Sequence, residues 1–334
     1  MLFRMAHYYV GADVGGTKTE VCLLSIPSLD HPEAYTLLAR ERIRTEREIT
    51  FAQYVAQVSA LIQKLVQSHE LKISDLSGIG MGLPGSIDPT TQIMSQGSIS
   101  FLKNRELQPA FAQALNFHGH LLFDNDANCF ALAETYFGAG FRWAKENQVP
   151  LSELCLVGIT LGTGLGGGII VNGQLYRGRR GGAGEIGHML LAKIDRLCYC
   201  GKQGCAEQFL SGTALERNYH DLYPSAVAPS GQEIFDRAEK GDAQALAHIE
   251  SFRESLVVFL SNVSNFLDPH AIVIGGGLSK QPLIYAGIRE RLSHACFLNE
   301  NPPAVLANEC GDSAGVLGAA LLGLLTPDIS KGKP

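Results

Sequence analysis

A chain of 334 residues has length for about two domains, and 46% hydrophobic with 18% charged residues is the make-up of a soluble globular protein. A net charge of −6 and a pI near 5.9 exclude a protein held to nucleic acid by a general positive field. No run of about 20 apolar residues offers a membrane span, and no apolar core of signal-peptide length precedes the first strand, so the expected compartment is the cytoplasm.

Residues 8–13 and 19–25 read as two strands around a glycine turn, and Leu37 to Thr45 adds a third with Arg40, Arg42 and Arg44 on one face. Apolar residues from Thr50 to about Glu70 recur at helical spacing, and Ser77 to Leu83 returns to extended structure before the turn Leu83-Pro84-Gly85-Ser86-Ile87-Asp88-Pro89. A short helix over Gln108 to Leu115 leads to a strand, His120 to Phe123, then to Asp124-Asn125-Asp126-Ala127-Asn128 and a helix ending at Gly138. The second half repeats the pattern. Leu154 to Leu161 is a buried-type strand, Gly162 to Gly168 turns into Ile169-Ile170-Val171, and Asn172-Gly173 closes a hairpin. A long helix from about Ala243 to Leu267 precedes the strand Ala271 to Ile274 and the glycines Gly275, Gly276 and Gly277, and Ser313 to Leu325 is a small-residue helix suited to close packing. Two similar α/β halves, each opening on a glycine hairpin, suggest a ligand held between them.

The first hairpin carries Gly11, Asp13, Gly15, Gly16, Thr17 and Lys18, a set suited to phosphate: glycines let backbone N–H groups approach an anion, and Thr17 and Lys18 add a donor and a charge. It is not a Walker A loop, because Thr17 stands where that motif needs lysine, and a plain tight hairpin would use the same glycines. Gly162-Thr163-Gly164-Leu165-Gly166-Gly167-Gly168 satisfies the dinucleotide fingerprint G-x-G-x-x-G but lacks the following helix, so a second phosphate hairpin fits better. Asp126, where a strand gives way to a helix, is either a helix-start carboxylate or a base that accepts a hydroxyl proton.

Three of the eight cysteines, Cys198, Cys200 and Cys205, lie within eight residues, with His188 ten residues upstream. Cys₃His is a closed structural zinc set, and three buried free thiols are the alternative. Glu185 and Glu207 flank this segment as acceptors for sugar hydroxyls or as solvated carboxylates.

Together, Asp13-Val-Gly-Gly-Thr-Lys18, Asn125-Asp126-Ala-Asn128, Gly162 to Gly168, Gly184-Glu-Ile-Gly-His188 and Cys198-Tyr-Cys-Gly-Lys-Gln-Gly-Cys205 resemble the ROK family of bacterial sugar kinases over essentially the whole chain. The resemblance implies a two-lobed, actin-like (ribonuclease H-like) α/β ATPase fold with a zinc loop. Residues 1–123 with 312–330 would form a small lobe closed by the C-terminal helix, and 124–311 a large lobe with the sugar and zinc segment. It implies ATP, Mg²⁺ and structural Zn²⁺ as cofactors, a small-molecule hexose as substrate, no nucleic-acid or membrane partner, and a homodimer. Asp126 would be the general base for a hexose 6-hydroxyl. Gly85, Asn125, Glu185, His188 and Glu207 would contact the sugar, and the glycines of both hairpins with Gly275 to Gly277 would contact ATP.

Leu83-Pro-Gly-Ser-Ile-Asp88, the cysteine segment and Cys310-Gly-Asp-Ser-Ala-Gly315 resemble the fructokinase/mannokinase branch. Asp124-Asn-Asp-Ala-Asn-Cys-Phe-Ala-Leu132 and Ile274-Gly-Gly-Gly-Leu-Ser279 are equally similar to N-acetylglucosamine kinases. The expected activity is fructokinase, with an N-acetylglucosamine or N-acetylmannosamine kinase as the alternative. Ser95 to Ser100, Ser98 included, lacks the asparagine that many relatives carry in their sugar loop, which leaves the sugar open. A sugar-responsive repressor is a further reading of the family, disfavoured by the acidic charge and the nine residues ahead of Val10.

Overall fold

The computed structural model describes residues 7–28, 31–46, 48–97 and 99–324. Ser98 of the serine-rich loop, Leu325 of the expected last helix and residues 325–330 of the expected small lobe lie outside them.

The chain divides into two compact units. Of the described residues, the first takes in those from 7 to 138, Leu175–Ala183 and those from 310 to 324; the second comprises Ala139–Gln174 and Gly184–Glu309. The expected boundary after residue 123 thus moves to Gly138. The cause is local: the strand ending at Asn125 pairs with the first sheet, and the helix after it packs on the C-terminal helix, where a Cβ on Gly318 would stand 1.7 Å from the Cys129 carbonyl oxygen.

In the first unit, strands β1 (His7–Val14), β2 (Lys18–Ile26) and β3 (Thr36–Arg44) form an antiparallel meander. β4 (Leu76–Leu83) pairs parallel with β1, and a two-stranded ribbon of β5 (Gly85–Ile87) and β6 (Met94–Gly97) follows it. β7 (His120–Asn125) completes the sheet order β3-β2-β1-β4-β7. The helix Phe51–Gln67 begins on a capping box of Thr50 and Gln53. It buries Tyr54, Val58, Ile62 and Leu65 against Val10, Ala12, Val21 and Leu23.

The other face of this sheet takes the helix Ala314–Leu324, which comes unusually close. A Cβ on Gly11 would lie 2.1 Å from the Val316 carbonyl oxygen, and one on Gly80 1.9 Å from that of Ala319. Only glycine permits that approach.

The second unit repeats the order. β8 (Leu156–Leu161), β9 (Leu165–Val171) and β10 (Gln174–Leu175) precede β11 (Ala271–Gly275) and β12 (Ala304–Ala307) in a sheet ordered β10-β9-β8-β11-β12. Asn172 and Gly173, both at positive φ, make the expected tight turn between β9 and β10. The helix Ala243–Leu267 ends at Asp268 in the left-handed conformation and buries Phe252, Leu256, Phe259 and Leu260 with Val157, Ile159 and Ile272.

Candidate active site

In the first unit the glycine turn between β1 and β2 is a tight hairpin. The Gly15 N–H donates to the Lys18 carbonyl at 2.8 Å, so that amide is spent on the turn, and Thr17 accepts from Thr45 N–H at 3.0 Å. Gly11 lies within β1, and its missing side chain makes room for the C-terminal helix; the structure does not bring it to the turn with Gly15, Gly16, Thr17 and Lys18. Asp13 packs against Gly315 in the first turn of that helix, where a Cβ would stand 2.6 Å from its carboxylate. Burial, then the charges of Asp126 and Glu20, push the Asp13 carboxyl up to about 7, against the lowering pull of Lys18 and Arg42.

Asp126 is the first residue of the helix Asp126–Tyr136, and β7 runs straight into it. Asn125 caps that helix: its Oδ1 accepts from Ala127 N–H at 2.8 Å, and its Nδ2 donates to the Gly85 carbonyl at 3.1 Å. Gly85 is pressed against the neighbouring ribbon strand, where a Cβ would lie 2.1 Å from the Gln96 carbonyl oxygen. The anchor of this corner is Asp124, which sequence reasoning missed. Its Oδ1 accepts from Asn128 Nδ2 at 2.6 Å and from Asn125 N–H at 2.8 Å, and its Oδ2 accepts from Arg177. An acidic residue ahead of Asn125 was visible, but its arginine lies 53 positions away.

In the second unit the hairpin between β8 and β9 is likewise closed by its own backbone, with Gly162 N–H donating to the Gly164 carbonyl at 3.0 Å. Gly164 lies against Glu207, whose Oε2 accepts from Leu165 N–H at 3.0 Å. Of the expected phosphate glycines, Gly162 and Gly164 flank Thr163 in the turn, whereas Gly166, Gly167 and Gly168 lie inside β9. Gly167 makes room for a neighbouring segment, since a Cβ there would meet Ile186 at 2.5 Å. Gly275 ends β11, Gly276 turns with φ 83° beside the Leu161 carbonyl, and Gly277 opens the next turn, so Gly276 approaches the second hairpin.

His188, Cys198, Cys200 and Cys205 offer ligand atoms that all lie within 4.8 Å of one another. The Cys200 and Cys205 sulfurs are 3.6 Å apart, as are Cys198 Sγ and His188 Nδ1. A tetrahedron with metal–sulfur arms of about 2.3 Å has edges of about 3.8 Å, so these residues fit a single ion. Gly201 and Gly204, both at positive φ, curl the loop, and Leu191 N–H donates to the Gly204 carbonyl at 2.8 Å. His188 turns Nδ1 to the thiols and Nε2 away from them, to the Tyr199 hydroxyl at 2.8 Å and Glu185 at 3.9 Å. Glu207 Oε1 lies 4.0 Å from Cys198 Sγ. The structure thus gathers Glu185, His188, Glu207 and the three cysteines into one cluster.

The description of the matching family model is ROK family, and it spans residues 9–324. An N-acetyl-D-glucosamine kinase of Erwinia tasmaniensis is 34% identical over 328 residues, covering 95% of this chain and 99% of its own. One from Mannheimia succiniciproducens is 34% identical over 324 residues, with 93% and 98% coverage. Among solved structures, a ROK hexokinase from Thermus thermophilus superposes with a TM-score of 0.78 at 25% identity over 94% of this chain and 97% of its own. A ROK family glucokinase from Streptomyces griseus, in complex with glucose and AMPPNP, gives a TM-score of 0.73 at 28% identity, with 94% and 98% coverage. The chain belongs to the ROK family.

Proposed function

We propose that this protein is an ATP-dependent kinase that phosphorylates the 6-hydroxyl of an N-acetylated hexosamine, N-acetylglucosamine foremost. The observation that carries the kinase reading is the place of Asp126, at a strand-to-helix junction in the unit whose glycine hairpin holds Asp13 near enough for the two carboxylates to feel each other's charge. The Asp126 carboxylate accepts the hydroxyl proton as the sugar oxygen bonds to the γ-phosphorus and the bond to the β–γ bridging oxygen breaks, releasing ADP. In this reading the glycine hairpins and Lys18 are the phosphate-holding elements, and Asp13 would hold Mg²⁺. That ion, when bound, neutralises phosphate charge, and its charge beside Asp13 favours the ionised carboxylate.

Asn125, Glu185, His188 and Glu207 take the sugar hydroxyls. With Nδ1 on a metal, His188 carries its hydrogen on Nε2 and can donate to a sugar oxygen. His188, Cys198, Cys200 and Cys205 hold a structural Zn²⁺; four protein ligands leave no open position for water, so its part is to fix the sugar loop. The repeated sheet order supports the actin-like ATPase fold, and the family resemblance supports a cytoplasmic homodimer.

Fructose was the expected sugar. The two relatives at 34% identity, from Erwinia tasmaniensis and Mannheimia succiniciproducens, are N-acetyl-D-glucosamine kinases, which favours the alternative. The kinase reading is tested by sugar-dependent ADP release from Asp126→Asn. The turnover number falls by at least about 100-fold while sugar and nucleotide still bind, as expected when a general base is lost. An unchanged rate contradicts the assignment.

A further inference from the structure

The face of the first sheet that carries Asp13 also carries a carboxylate with no part in the steps above. Glu20 stands opposite Asp13 in the β1–β2 register and opposite Arg42 in the β2–β3 register, and it is only 1% exposed. Four groups share its two oxygens. Oε2 forms an ion pair with Arg42 Nη2 at 2.7 Å and lies 3.9 Å from the Lys18 ammonium. Oε1 accepts from the Ser313 hydroxyl at 3.0 Å and lies 3.4 Å from Arg40 Nε, and Arg40 in turn donates to Ser313. These partners come from the phosphate hairpin, the edge strand β3 and the turn Gly311–Ser313 that leads into the C-terminal helix.

Packing does not call for a carboxylate here. Gly11 and Cys22, on the same face, are small, and both lie against the Val316 carbonyl. A buried carboxylate is costly to desolvate, and an apolar side chain of similar volume often serves stability equally well. The cations do not need it for solubility, since Lys18, Arg40 and Arg42 are each 42–45% exposed. What Glu20 contributes is direction: it holds long side chains, otherwise dispersed among many rotamers, in one arrangement beside Asp13.

We propose that Glu20 is a positioning residue for the phosphoryl donor, holding Lys18 and Arg42 at the phosphate hairpin and tying that hairpin to the turn before the C-terminal helix. This rests on the kinase reading.

The test is calorimetric binding of Mg²⁺·AMPPNP and, separately, of N-acetylglucosamine to wild type, Glu20→Gln, Arg42→Gln and the double variant, with a thermal melt of each. Glutamine keeps the shape and can still meet Ser313, but loses the charge. Glu20→Gln weakens nucleotide-analogue binding by about tenfold, the size expected for a charge-assisted contact, and leaves sugar binding within about twofold. Arg42→Gln gives the same one-sided loss, and the double variant is little worse than the weaker single because both act on one network. A lower melting temperature with both affinities intact overturns the proposal, as does equal loss for both ligands. If Glu20→Gln does not fold, Arg42→Gln and Ser313→Ala carry the test, since each removes one arm of the network. Absence of analogue binding by wild type overturns the kinase reading as well; tight binding by wild type and Glu20→Gln alike overturns only the role of Glu20.

Discussion

Asp13 and Asp126 lie close enough in the first unit for the charge of one carboxylate to act on the other. Asp13 is half-buried, with the charges of two other carboxylates acting on it, and desolvation first and those charges next raise its carboxyl to about 7 from an ordinary 3.8. An acid raised on folding contributes stability that is full below its unfolded value and is lost as pH climbs toward its folded one. Asp13→Asn therefore raises the melting temperature of the Mg²⁺-free protein by several degrees at pH 8, and the gain shrinks as pH falls from about 7 toward about 4. A melting-temperature difference that does not change across this window contradicts the burial argument. At this scale the sequence was legible where function needs a particular residue type next to a particular turn. The spacing of His188 and the three cysteines could be picked out, and the structure brings their ligand atoms within 4.8 Å of one another; Asp126 read equally as a helix-start carboxylate and stood out only beside the other motifs. Asp124 and Glu20 could not be picked out, since each is defined by partners that folding brings from afar, Arg177 in one case and Ser313 in the other.

The elements owe their positions to periodic burial and to small residues. The helices Phe51–Gln67 and Ala243–Leu267 were legible because their apolar spacing is long and regular, and both strand hairpins because glycine marks their turns. Glycine serves packing as well as turns. Gly11 and Gly167 sit in strands and make room for neighbouring segments, a packing demand that a sequence displays in the same letters as a phosphate loop. The segment of His188, Cys198, Cys200 and Cys205 shows the reverse case, a loop with little regular structure whose four ligand atoms nevertheless lie within 4.8 Å of one another. Elemental analysis of the purified protein should give one zinc per chain. Cys200→Ser should lose most of that zinc and the sugar affinity with it, while AMPPNP binding persists. Full sugar affinity in zinc-free protein contradicts a loop shaped by the ion.

Across the whole chain, one grammar is used twice: an antiparallel glycine hairpin with a third strand, then parallel strands reached through helices, giving the same strand order in both units. That repeat was legible, and the family with it. The boundary after Gly138 was not, because the pairing of β7 with β4 and the packing of the next helix are tertiary choices. Sugar preference was the least legible property, since the serine-rich loop departs from the family pattern and the other residues expected to contact the sugar suit several hexoses. The proposed preference for the N-acetylated sugar rests on the two 34%-identical relatives, both N-acetyl-D-glucosamine kinases. The most direct test is sugar-dependent ADP release measured as kcat/KM for N-acetylglucosamine, N-acetylmannosamine, glucose, mannose and fructose. N-acetylglucosamine should lead fructose by at least about tenfold, the discrimination a site gains from matching a substrate's polar group. Fructose equal to or above N-acetylglucosamine, or no ADP release with any of the five, would contradict the account.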